Sequence, residues 1–182
     1  MKLHFAIFVL GIAAMAGSAP AQQTRHEITK KSSGDTKPNS ANVPEVYAIP
    51  AQFQRILVLR FKNQTDLLAG LEKSVKDQKI KNAVILSGIG SVRNYQVHSV
   101  SNRDFPSKNV FIKDATSPAD IVSVNGYIVN GEVHAHMTMT DGDKAFGGHI
   151  EPDTNIFTFA AITLAVFDDK VDLTNLLNKD YR

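Results

Sequence analysis

The chain has no cysteine among its 182 residues, and that absence removes several classes of protein at once. A lipid-anchored lipoprotein needs a Cys at its processing site, a disulfide scaffold needs pairs, and thiolate zinc fingers need Cys ligands. Any metal site must therefore be built from histidine, carboxylate and water, which suits an oxidising compartment. Charge of one sign is also lacking. The whole sequence carries a formal +2, but from Ala51 to Arg182 there are 15 Lys plus Arg against 15 Asp plus Glu. Domains that grip a phosphate backbone are usually basic, because neutralised phosphates and released counterions supply most of the affinity. Nucleic acid is accordingly not expected as a partner. The "SGIGSV" stretch holds a G-x-G but lacks the third glycine and the following helix of a dinucleotide fingerprint. A strand-end turn is the simpler reading.

Long apolar runs are missing too. The longest, Phe5 to Ala16, is about a dozen residues where a membrane span needs about 20. It follows a basic Lys2 and ends in small residues, with Ala19 and Ala21 in an A-x-A pattern. Residues 1–21 are thus expected to be a secretory signal peptide cleaved after Ala21, leaving an exported protein, periplasmic or secreted, with no stable span in its mature form. Residues 22–50 are rich in Ser, Thr, Asn, Lys and Pro without apolar period, and read as a flexible leader or linker. One domain, 51–182, remains.

Within it "RILVLRF", residues 55–61, has the composition of a buried strand. "TDLLAGLEKSVKDQKI" then changes period: Leu68, Leu71 and Val75 recur at helical spacing with Leu67 beside them, and Thr65 is placed to cap the start. "NAVILSGIGSV" and "YQVHSV" form a hairpin or a bent strand corner, and a polar stretch from Asn102 to Ser117 follows. Four more strands are expected in "DIVSVNGYIV", "EVHAHMTMT", "KAFGGHI" and "IFTFAAITLAVF". One principal helix among six or seven strands joined by short turns predicts an α+β domain with a mainly antiparallel sheet.

Asn130-Gly131 between two alternating runs predicts a type I′ hairpin, which sets Tyr127 opposite His134 and Asn125 opposite His136. Alternation then places Val124, Ile128, Val133, Ala135, Met137 and Met139 on one side of the sheet and His134, His136, Thr138, Tyr127 and Asn125 on the other. If Asp141-Gly142 forms a second two-residue turn, Met137 faces Phe146 and His134 faces His149. A three-residue loop would instead send His149 to the far face unless Gly147-Gly148 forms a bulge.

Directly opposed residues have Cβ atoms about 5 Å apart, close enough for three imidazoles to reach one ion. His134, His136 and His149 are the metal ligands this register predicts, with zinc the default ion and copper, nickel or iron also compatible. Three protein ligands leave a fourth position open, where zinc could activate water. No general base, nucleophile or oxyanion donor announces itself beside it, so catalytic residues are not assigned; Glu132, Thr138 and Glu151 are merely near. The competing reading makes the histidines hydrogen-bonding residues of a polar sheet surface or subunit interface. His98 on "YQVHSV" reads as a structural strand histidine, and His26 receives no role.

The succession of "RILVLRF", helix, "NAVILSGIGSV" and "IVSVNGYIVNGEVHAHMTMTDGDKAFGGHI" with a final apolar strand resembles the PPC domain (plants and prokaryotes conserved) over about residues 53–168. The H-x-H and GGH block carries most of the specificity. The resemblance implies a sheet with a helix packed on it, a homotrimer, and a metal, usually zinc, at His134, His136 and His149. It also brings an inherited DNA-binding label from plant relatives, in which the domain accompanies AT-hooks and serves self-association. No AT-hook core of Arg-Gly-Arg-Pro is present, and "KNQTDL" departs from the Gly-Glu-Asp-Leu style of the family. Three functions follow as expectations: an exported metal-binding protein recognising an unidentified small molecule or protein, a zinc-dependent hydrolase, or a DNA-binding protein.

Overall fold

Strands dominate the computed structural model, which describes residues 24–28, 39–103, 105–178 and 181. In chain order the elements are β1 Thr24–Ile28, β2 Phe53–Lys62, α1 Leu67–Asp77, β3 Ala83–Val100, β4 Asn109–Asp114, β5 Ala119–Val129, β6 Glu132–Thr140, β7 Ala145–Ile150 and β8 Asn155–Phe167. All strand pairings are antiparallel. The α+β expectation of a mainly antiparallel sheet with one principal helix is met among the described residues.

The helix forms where the apolar period predicts it, one residue later than its expected cap. Asp66, not Thr65, is the N-cap, its carboxylate accepting from the Ala69 N–H at 2.9 Å. Leu67, Leu71 and Val75 are buried and join Phe61, Ile162 and Leu164 in the main core. Gly70 is required here, since a Cβ would stand 2.7 Å from the Phe61 ring.

The two segments "NAVILSGIGSV" and "YQVHSV" are one strand, so the bent strand corner holds and the hairpin does not. β3 runs 18 residues and bends at register shifts near Ile85, Gly90 and Val92. Its length lets it serve four neighbours: β8 and then β7 along one edge, β5 and then β4 along the other. Because β5 pairs β6 and β6 pairs β7, the series β3–β5–β6–β7–β3 closes on itself. Val97, Val124, Met137, Met139 and Ile150 fill the enclosed side.

Two stretches expected to be irregular contain strands. Asn109–Asp114 lies inside the polar stretch and pairs β3, while Thr24–Ile28 lies inside the segment read as flexible leader and pairs β4. The expected signal peptide, residues 1–21, lies outside the described residues.

Candidate metal centre

The site begins at the Asn130-Gly131 turn. Both residues have positive φ, 52° and 83°, as a type I′ turn demands. The β5–β6 register is the expected one: Val129 opposite Glu132, Tyr127 opposite His134 and Asn125 opposite His136. Ala135, Met137 and Met139 are buried, while His136 is exposed on the other face.

The second turn differs from expectation. Thr140 pairs Ala145 rather than Asp143, so the loop has four residues and not two. The cause is local: the Asp141 carboxylate accepts from the N–H groups of Asp143 and Lys144, each at 3.1 Å, and spends the turn on side-chain hydrogen bonds. Those bonds, Lys144 first, also hold the Asp141 carboxyl below the usual range. The register shifts by two: His149 faces His136 instead of His134, and Phe146 faces Met139 instead of Met137. An even shift preserves the alternation, so His149 stays on the histidine face without any bulge.

The paired glycines explain how β7 fits. A Cβ on Gly147 would lie 2.0 Å from the Met137 carbonyl oxygen on β6, and one on Gly148 would lie 2.4 Å from the His98 carbonyl oxygen on β3. Only glycine lets β7 wedge between both neighbours and carry His149 to them.

One ligand-type atom from each of His134, His136 and His149 lies within 4.8 Å of the others. His134 Nε2 and His136 Nε2 are 3.3 Å apart. The His149 ring sits 4.7 Å from that of His134 and 5.2 Å from that of His136. Burial pushes the His149 imidazole down to about 4, helped by His98, His134 and His136, and burial with His134 and His98 also lowers His136. Such rings are neutral at pH 7 and offer lone pairs to a cation. His149 Nδ1 is buried without a hydrogen-bond partner, the one such side-chain atom found among the described residues. An all-imidazole set of this spacing fits a divalent ion of the zinc class.

Two residues that sequence reasoning named without giving them a site role, His98 and Glu151, meet beside the triad. His98 faces His149 across β3 and β7, with ring centroids 4.6 Å apart, and its Nδ1 is 2.5 Å from Glu151 Oε1. Glu151 is held in place because its N–H donates to the Gln96 carbonyl at 3.0 Å, and the buried Thr154 hydroxyl donates toward the Gln96 and Glu151 carbonyls. The strand bearing His98 was foreseeable; its pairing with a strand some fifty residues away was not. Glu132 lies at the far end of β6, opposite Val129.

The closed antiparallel arrangement, one helix among the described residues and a histidine cluster on β6 and β7 that could hold a metal ion describe a β-rich domain. The profile of the Plants and Prokaryotes Conserved (PCC) domain matches residues 49–168, and the chain belongs to that family. Solved structures agree in fold. A metal-containing protein from Archaeoglobus fulgidus is 20% identical, with a TM-score of 0.57 over 66% of this chain and 86% of that one. A plant- and prokaryote-conserved protein from Pyrococcus horikoshii is 21% identical, with a TM-score of 0.56 over 70% and 89%. A protein from Ralstonia eutropha described as a candidate DNA-binding protein is 22% identical, with a TM-score of 0.50 over 63% and 80%. The chain spans about a fifth of the length of the curated relatives it matches; a bifunctional GlmU protein of Synechococcus is 25% identical over 130 residues, covering 71% of this chain and 20% of that protein.

Proposed function

We propose that this is an exported PCC-domain protein that binds one divalent metal ion, zinc by preference, through His134, His136 and His149, and presents the ion's open position to a small molecule or protein. The observation that supports it is the convergence of three imidazoles on one face, one of them with a buried, unpartnered nitrogen. The name of the Archaeoglobus relative, a metal-containing protein, points the same way. Export rests on the pattern of residues 1–21.

Homotrimer assembly belongs to the same proposal, and an exposed apolar face supports it. Ile56, Val58, Leu86, Ile89 and Val122 are each more than half exposed on β2, β3 and β5. The cross-strand row Ile56–Ala165–Val84–Tyr127–His134 puts Ile56 on the same side of the sheet as the histidines. Contiguous apolar surface of this kind marks protein contacts.

Zinc analysis and titration of the purified protein test the reading. One zinc per chain is expected, with affinity falling about 100-fold in His134→Ala and His136→Ala. Unchanged zinc affinity in both variants would overturn it. An open zinc position also suits hydrolysis, to be tested on esters, lactones and phosphoesters with and without chelator. The names of the Ralstonia relative and of a similar protein from Bacteroides thetaiotaomicron favour a DNA-binding reading and weigh against the expectation that nucleic acid is no partner. Retarded migration of duplex DNA that weakens steeply with salt would establish that reading.

A further inference from the structure

The His98–Glu151 pair stands beside the triad, and the triad makes no use of it. His98, His149 and Glu151 each offer a ligand-type atom within 4.8 Å of the others, a second group that meets the first only at His149. The cross-strand order explains the overlap: His98 on β3, His149 on β7 and His136 on β6 stand side by side in one row. His149 is therefore flanked by ligand-type groups on both sides, with rings at 4.6 Å toward His98 and 5.2 Å toward His136.

The two groups differ in chemistry. The triad is all nitrogen and suits zinc, copper or nickel. The other group joins two imidazoles to a carboxylate, the donor set of two-histidine, one-carboxylate sites that hold iron(II)-type ions, and the carboxylate also suits manganese(II). Its members are built into the fold rather than waving at the surface. The His98 and Glu151 side chains are only 21% and 20% exposed, and Glu151 is pinned through the Gln96 and Thr154 hydrogen bonds. Ligand atoms at bonds of roughly 2.1 Å stand about 3 Å apart around an ion, so the 2.5 Å His98–Glu151 contact opens by about half an ångström to admit one.

We infer that His98, Glu151 and His149 form a second cation seat whose carboxylate, unlike the all-nitrogen triad, admits manganese(II)- and iron(II)-class ions, and that it shares His149 with the zinc seat so that only one of the two fills at a time. Exclusion follows from the shared ring, because a neutral imidazole has one lone pair and bridging two ions would require removing its remaining proton. The mutual exclusion rests on the triad reading; the second seat itself does not.

Manganese(II) titration followed by the loss of the free-ion electron paramagnetic resonance signal tests this, alongside zinc titration on the same variants. The wild-type chain is expected to bind one manganese, displaced stoichiometrically by zinc. Glu151→Gln and His98→Gln should each weaken manganese by about 100-fold while zinc affinity stays within about threefold. His136→Ala should do the reverse, and His149→Ala should abolish both. Retained zinc binding in Glu151→Gln or His98→Gln shows that the variant is folded. The inference is overturned if the wild type binds no manganese, if manganese binding survives both Glu151→Gln and His98→Gln, or if His136→Ala loses manganese along with zinc. Should zinc fail to depend on His134 and His136 while manganese still depends on Glu151, the triad reading falls and the second seat stands.

Discussion

The two faces of β6 are one residue apart in sequence and opposite in what they demand of their neighbours. On one, Ala135, Met137 and Met139 are buried by Val124, Ile128, Ile150 and the rest of the main cluster. Methionine is tolerant of shape, and this face asks only for apolar volume. On the other, His134 and His136 could share an ion with His149 only if β7 brings it to a particular place, and β7 can arrive only because Gly147 and Gly148 carry no side chain. Core packing is concentrated on the first face and the histidine cluster on the second, with the glycine pair serving both.

Substitutions can break that division or sharpen it. Gly147→Ala should do most damage to fold and site together, because its Cβ would meet backbone rather than a movable side chain. Unfolding free energy is expected to fall by about 3 kcal/mol in denaturant titration, with zinc uptake lost in the same variant. Met137→Ala empties core volume and should cost about 2–5 kcal/mol while the surviving folded fraction still binds zinc. His149→Ala should invert the pattern, removing zinc binding in calorimetry yet changing the stability of the metal-free chain by less than about 1 kcal/mol. The last expected effect is on pH. An imidazole depressed from 6.5 to about 4 takes up its proton more readily when unfolded. The His149 contribution to the stability of the metal-free chain should therefore decline as pH falls from 6.5 toward 4 and level off below. Melting temperatures across that window should show a flatter profile for His149→Ala than for wild type.

Much of this was legible before any coordinates. Asn130-Gly131 fixed one hairpin because two positive-φ residues leave a single common turn geometry, and everything in register with it followed, His134 and His136 included. The Leu68, Leu71 and Val75 period located the helix, although Leu67 rather than Leu68 is its fully buried member. Asp141-Gly142 misled because an aspartate can satisfy backbone N–H groups from its side chain, and that alternative lengthened the loop by two residues. The face of His149 survived the error only because the shift was even. Asn109–Asp114 was missed because its strand character comes from pairing with β1 and β3 rather than from its own alternation. The His98–Glu151 pair was invisible for a related reason: strand adjacency between distant segments leaves no local trace.

The closed series of pairings carries a kinetic consequence. His98 and Glu151 are 53 positions apart, and they meet only where β7 seats against β3, the step that completes the ring. Contacts of such long sequence separation form late, because the intervening chain must first surrender its freedom. The β6–β7 triad can gather within a local hairpin, whereas the His98–Glu151 pair is expected only once β7 has seated on β3, so formation of that pair in the refolding chain would report that closure.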